Sequence, residues 1–150
     1  SHFAKAMRDP REAAVVADGM AARRIGRGLL VFLCVERGDT ETEADYFARK
    51  IAAMRLFDDG EGRINLSLLD IGGAALVVSQ FTLAALWRKG NRPSFSGAAD
   101  AETGRRLYES FCERLRSRKV PVKTGVFGAT MAVSLINDGP LTIWMDSADG

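Results

Sequence analysis

The order of apolar and polar positions divides this chain into elements. Residues 29–35, Leu-Leu-Val-Phe-Leu-Cys-Val, form a continuous apolar run. A run this short, with β-branched and aromatic members, predicts a buried strand. Gly26 and Gly28 before it and Gly38 after it bound it with turns. The period then changes. Ala44, Phe47, Ile51 and Met54 recur at steps of three and four, which gathers them on one face of a helix. Thr40 and Glu43 stand at capping-box spacing at its start. Asp58, Asp59, Gly60, Glu61 and Gly62 predict a solvated loop. Residues 74–81, entered from Gly72 and Gly73, predict a second buried strand. Residues 87–97 hold Arg88, Lys89, Arg92, two glycines and Pro93 and read as a basic loop. A second helix opens near Asp100, with Leu107, Tyr108, Phe111 and Leu115 as its apolar stripe. Arg105, Arg106, Glu109, Glu113, Arg114 and Arg116 cover its other faces, and Pro121 stops it. Residues 131–136 and 141–145 predict two further strands, joined through Asn137, Asp138, Gly139 and Pro140.

Strands with helices between some of them place the chain in the α+β class. The expected architecture is a single domain over residues 1–150, with a largely antiparallel, barrel-like sheet and two main helices. No repeat, low-complexity segment or linker divides it, and 150 residues suit one domain.

Composition narrows the function classes. Hydrophobic residues make up 47%, enough for a sizeable core, and the formal net charge is only +2. A contact with nucleic acid would therefore use a local patch rather than an overall basic surface. The longest apolar run is too short to cross a bilayer. No charged-then-apolar leader opens the sequence, so the expected location is the cytoplasm, away from membranes. Ser1 and His2 read either as native residues or as the remnant of a tag. Cys34 and Cys112 lie far apart and read as reduced structural thiols.

The chemistry that is missing matters as much. His2 is the only histidine, which removes Ser-His-Asp and Cys-His catalysis and histidine-based zinc sites. There is no CxxC pair, phosphate-binding loop or EF-hand pattern. Gly26-Arg27-Gly28 precedes a strand instead of following one, so it reads as a turn rather than a dinucleotide fingerprint. An enzyme built from these residues works without metal or other cofactor. It relies on backbone dipoles, hydroxyls and groups of the substrate.

Three segments carry a resemblance. They are Ser79-Gln80-Phe81-Thr82-Leu83; then Arg88-Lys89-Gly90-Asn91-Arg92-Pro93-Ser94-Phe95; then residues 125–142, ending in Asn137-Asp138-Gly139-Pro140-Leu141-Thr142. In this order and spacing they resemble the D-aminoacyl-tRNA deacylases. That family has an SQFTL motif, an RKGxRPSF loop and a terminal NxGPxT motif. The likeness covers roughly residues 12–147. The N-terminus departs from it: family members begin with a strand ending in an arginine, and the best counterpart here is Met7-Arg8-Asp9, followed by Pro10.

The resemblance implies hydrolysis of the ester joining a D-amino acid to the 3′ end of a tRNA, in a homodimer whose sites are shared across the interface. It implies that Gly139-Pro140 adopts a cis bond and projects into the partner's site. There its two carbonyls would face the substrate's amino group and its backbone would fill the space an L side chain needs, while glycyl-tRNA would pass. Arg8 would brace that pair, and Met131 would lie with the gate. Ser79, Gln80, Phe81 and Thr142 are the expected catalytic residues, and Thr82 a substrate contact. Arg88, Lys89 and Arg92 would meet tRNA phosphates.

Read from the residues alone, each assignment has a plainer counterpart. Ser79 and Gln80 either end a strand in water or floor a pocket whose backbone N–H groups hold the ester carbonyl, with Phe81 as an apolar wall. Thr82 either bonds the terminal adenosine or sits in the strand. Gly139-Pro140 alone reads as a turn. Arg8 alone is a solvated arginine near a mobile end. Thr142 is a poor nucleophile without a base and reads better as a positioning hydroxyl, with the ribose 2′-OH assisting the attack of water. Trp87 reads first as a packed side chain, with stacking on a base as the alternative. Two rival functions fit the same pattern: a non-catalytic nucleic-acid-binding dimer, perhaps acting at DNA, and an editing module of a synthetase. Intact motifs speak against the first, and the lack of a linker or second domain against the second.

Overall fold

The computed structural model describes residues 2–8, 10–17, 23–125, 127, 131–137 and 142–147. Their elements run in the order β1 (His2–Arg8), β2 (Pro10–Ala17), β3 (Arg23–Ile25), β4 (Gly28–Leu33), α1 (Glu41–Ala53), β5 (Arg55–Asp58), β6 (Ile64–Ser67), β7 (Ala74–Ser79), α2 (Ala101–Ser117), β8 (Val122–Thr124), β9 (Met131–Asn137) and β10 (Thr142–Asp146). A five-stranded sheet has the order β10-β1-β4-β7-β8, a three-stranded sheet the order β3-β2-β9, and β5 pairs with β6 alone. Among the described residues five of the seven strand pairings are antiparallel, and β4-β7 and β7-β8 are parallel. The α+β class and the two main helices are as expected.

The continuous apolar runs arise because β4 and β7 are covered on both faces. Leu29, Val31 and Leu33 of β4 and Ala75 and Val77 of β7 face a core with Phe47 and Ile51 of α1 and Leu107, Phe111 and Leu115 of α2. The alternate residues Leu30, Leu76 and Val78 turn the other way and pack with Ile25 of β3. Gly28, at the start of β4, is buried, and a Cβ there would overlap the Ala74 carbonyl.

Thr40 caps α1 as its spacing predicts. The Thr40 side chain accepts from the Thr42 N–H at 3.3 Å, and the Glu43 carboxylate accepts from the Thr40 N–H at 2.7 Å. Such a cap stabilises a helix by about 1 kcal/mol. Asp100 caps α2 by accepting from the Thr103 N–H at 3.2 Å. The end of α2 differs from the expectation. The helix stops at Ser117, ahead of Pro121, because Lys119 takes a left-handed backbone with φ 67°. The Lys119 N–H then bonds Arg116 O at 2.9 Å and the Val120 N–H bonds Leu115 O at 3.2 Å, the two reversed bonds of a Schellman ending. Val120 and Leu115 are both buried beneath it.

One further expectation changes, and two pairings emerge that the pattern did not address. The strand read over 74–81 ends at Ser79, and Phe81–Ala84 is a 3₁₀ turn. The acidic loop joins the β5–β6 hairpin, which the pattern did not reveal; Asp59 Oδ1 accepts from the Glu61 and Arg63 N–H groups at 2.8 and 3.4 Å. The two strands after residue 130 do not pair with each other: β9 joins the three-stranded sheet and β10 the five-stranded one. Among the described residues no helix is long and apolar enough to cross a membrane.

Candidate active site

Parallel neighbours β4 and β7 end together, with Leu33 beside Ser79. The carboxyl ends of parallel strands are where open sheets hold ligands. Here the chain leaves the sheet through Gln80, whose N–H bonds Leu33 O at 2.8 Å. The 3₁₀ turn closes with Leu83 N–H to Gln80 O at 3.2 Å and Ala85 N–H to Thr82 O at 3.1 Å. The amides of Phe81 and Thr82 precede the first of these bonds, so they belong to the end of the turn that intrahelical bonding does not use. The Gln80 side-chain amide donates to the Thr82 hydroxyl. Ser79 and Gln80 are half-buried, and Thr82 is exposed. Phe81 is 57% exposed and meets Phe95 edge-to-face at 5.1 Å. Phe95, which the sequence marks only as part of the RPSF run, is thereby brought beside Phe81.

Cys34 lies beneath the turn and its thiol donates to Phe81 O at 3.7 Å. Burial, with help from Glu36, pushes this thiol up to about 11. Burial moves Cys112 further, to about 12, against the opposing pull of Arg116 and with help from Glu113 and Glu109. Both are therefore neutral thiols near pH 7, and neither is a thiolate nucleophile. They agree with the structural reading.

The basic loop follows directly. Leu86 and Ser94 exchange two backbone bonds of 2.7 and 2.9 Å, closing its base. Gly90, with φ 70°, lets its tip turn where a side chain would be strained. Arg88, Lys89 and Arg92 are all exposed. Trp87 corrects the packed reading: it is 68% exposed, with the Arg88 guanidinium 5.6 Å from its ring centre.

The remaining expected residues lie elsewhere. Arg8 is the last residue of β1, opposite Leu29, and Thr142 begins β10, opposite Met7. Pro10 begins β2, opposite Asn137, so the chain on either side of residue 9 runs beside both ends of the β9–β10 connection. Met131 begins β9, opposite Ala17. Gly139 and Pro140 lie outside the described residues. Thr142, Met7, Leu30 and Leu76 form one row across the sheet. Ser79 lies three residues beyond that row and three strands from β10. At about 3.3 Å per residue and 4.8 Å per strand, Thr142 and Ser79 are roughly 17 Å apart over the sheet. One chain thus brings together Ser79, Gln80, Phe81, Thr82 and the basic loop. It holds Arg8 and Thr142 apart from them.

Fold and site define a class: a single-domain α+β protein with an open site at the ends of parallel strands, furnished with backbone amides, hydroxyls and an aromatic wall. The model of the D-Tyr-tRNA(Tyr) deacylase family matches residues 9–146, and the chain belongs to that family. Membership makes it a hydrolase of the aminoacyl-tRNA ester bond. It is 58% identical to a D-aminoacyl-tRNA deacylase of Ruegeria pomeroyi, over 89% of this chain and 92% of that one. It is 54% identical to one of Thermomicrobium roseum, over 92% and 90%. A solved structure described as a c-Myc DNA unwinding element binding protein superposes with a TM-score of 0.87 at 36% identity, covering 97% of this chain and 99% of that one. A probable eukaryotic D-amino acid tRNA deacylase shares the fold, with a TM-score of 0.81 at 18% identity and the same coverage.

Proposed function

We propose that the chain removes D-amino acids, and glycine, from tRNA in a cytoplasmic homodimer whose two sites are each built from both subunits. The supporting observation is the separation of Thr142 from Ser79. The Gly139-Pro140 connection has four residues between Asn137 and Thr142, five Cα steps of 3.8 Å. Tethered at both ends, it projects about 9 Å where those ends lie close together, short of the roughly 17 Å to Ser79. Its own site is out of reach, and a two-fold related copy brings it to the partner's.

In this reading the amides of Phe81 and Thr82 hold the ester carbonyl and its developing oxyanion. Phe81 walls the pocket, and Ser79 and Gln80 form its floor. From the second subunit Gly139 and Pro140 present backbone where an L side chain would lie, braced by Arg8, with Met131 near the gate. Proline's fixed φ and glycine's lack of Cβ allow this close, shaped approach. Thr142 enters from the same side as a positioning hydroxyl. The ribose 2′-OH assists water, in the role of base that none of these residues fills. Arg88, Lys89 and Arg92 meet the phosphates. The likeness to the DNA unwinding element binding protein keeps a nucleic-acid-binding dimer as the second reading.

The test is complementation. Phe81→Pro removes one carbonyl-holding amide at a position where proline suits a helical turn, and Gly139→Phe fills the partner's pocket. Each homodimer should be inactive on D-tyrosyl-tRNA. Mixed and refolded, half the dimers are hybrids with one whole site of two, so about one quarter of the activity should return. A folded mixture that stays inactive would contradict shared sites. Wild-type protein should release D-tyrosine and glycine from tRNA and leave L-tyrosyl-tRNA intact; no release from any of the three would favour the binding dimer.

A further inference from the structure

We propose that Trp87 is a stacking platform for a base in the single-stranded 3′ end of the tRNA, adjoining the nucleotide that carries the amino acid. The proposal rests on the deacylase reading and adds a contact for the RNA outside the reacting nucleotide.

Trp87 does not pack the core: it is 68% exposed. Its place is nevertheless fixed. The paired bonds between Leu86 and Ser94 hold the base of the loop, and Trp87 is the first residue beyond that clasp. Only Ala85 and Leu86 separate it from the 3₁₀ turn at the candidate site. A nucleotide next to the one bound at that turn would pass this loop.

Charge selects the occupant. Between Asp70 and Asp100 the sequence contains no carboxylate, while Arg88, Lys89 and Arg92 crowd the loop tip. A second copy of a chain with nearly balanced charge has little to gain against such a stretch, whereas a polyanion does. An exposed ring among cations is what a single strand requires: the base stacks on the indole while the cations neutralise its phosphates. Arg88 covers one face of the ring, which holds the indole in place through a cation–π contact and leaves its other face for a base.

The experiment uses the full chain and two variants, Trp87→Ala and Trp87→Phe, on two substrates. D-tyrosyl-tRNA carries the preceding nucleotides, and D-tyrosyl-adenosine lacks them. Trp87→Ala should raise KM for D-tyrosyl-tRNA about tenfold, or ~1.4 kcal/mol, the scale of one base stack. Its kcat should be unchanged, as should both constants on D-tyrosyl-adenosine. Trp87→Phe should restore most of the loss. Binding is read separately: in a Trp144→Phe background, uncharged tRNA should quench the remaining tryptophan fluorescence. That readout needs no turnover, so it survives if the wild type proves inactive and the deacylase reading fails. An unchanged KM, an equal loss on both substrates, or a shift from dimer to monomer on sedimentation of Trp87→Ala would each overturn the proposal. The last would identify Trp87 as a subunit contact.

Discussion

Gly28 shows how one side chain can be excluded by a neighbouring backbone. Its backbone is not left-handed; the constraint is the Ala74 carbonyl, which stands where a Cβ would be. Backbone yields less readily than a side-chain tip. Gly28→Ala should therefore destabilise the protein by about 1–3 kcal/mol, the cost of overpacking a filled core. Urea unfolding gives the number. Gly26, two residues earlier, has open space around its Cβ position and serves as the control; Gly26→Ala should change stability by less than about 0.5 kcal/mol. A similar loss for both would show that the contact is unimportant. The sequence marked both glycines only as turn residues. Which of them is indispensable depends on the strand that lies alongside, and that strand is more than forty residues away.

At the scale of elements, local chemistry was legible and partnership was not. Thr40, Glu43 and Asp100 marked helix starts because capping is settled within four residues. The apolar runs marked β4 and β7. Their parallel pairing could not be read, since two runs of valine and leucine look alike in either direction. The β5–β6 hairpin escaped because Arg55, Asp58 and Ile64 are exposed and leave too short a pattern. The segment at Ser79 was read as strand because Phe81 continued the apolar run; it leaves the sheet instead and exposes the Phe81 ring. The join between α1 and α2 was equally hidden. Arg114 bonds Glu41 at 3.1 Å and Asp45 at 3.2 Å, and the Ser110 hydroxyl donates to Glu41. Hydrogen bonding from Ser110, with Arg114 as a further cause, lowers the Glu41 carboxyl from its ordinary value. A depressed carboxylate contributes stability above its unfolded pKa and loses it as pH falls through the folded one. Arg114→Ala should cost about 1 kcal/mol or less at pH 7, because the charges are partly solvated. The difference from wild type should shrink as pH falls below about 4. Urea midpoints at several pH values would check this; a constant difference would assign the loss to the packing of the arginine stem.

For the whole molecule, net charge says little about RNA, because the charge is unevenly spread. The acid-free stretch around the loop should dominate the salt response. Neutralising Arg88, Lys89 and Arg92 together should weaken tRNA binding and flatten the slope of log K against log salt by about 2, at roughly 0.7 per contact on a single strand. An unchanged slope would place the phosphates elsewhere. Chemistry should be equally insensitive to metal. Among the described residues no three His, Cys, Asp or Glu side chains gather as a metal site. Activity should persist in chelator, and the pH–rate profile should show no inflection near about 6.5, where histidine titrates. Loss in chelator reversed by zinc would contradict the proposed chemistry. What the sequence left unread at this scale was the distance between motifs: the strand register sets Thr142 three strands away from Ser79.

The register of β1 also dictates an order of assembly. This strand lies inside the five-stranded sheet, between β4 and β10. It can zip onto β4 as soon as the next turns of chain exist. Its other edge waits for β10, which brings His2 opposite Asp146. Such a closure spans nearly the whole sequence, and long-range closures are slow to form. On a ribosome, β1 would be an open edge until the last strand emerged, with its unsatisfied hydrogen-bonding groups accessible to other chains. The stage most exposed to aggregation is therefore the wait of β1 for β10.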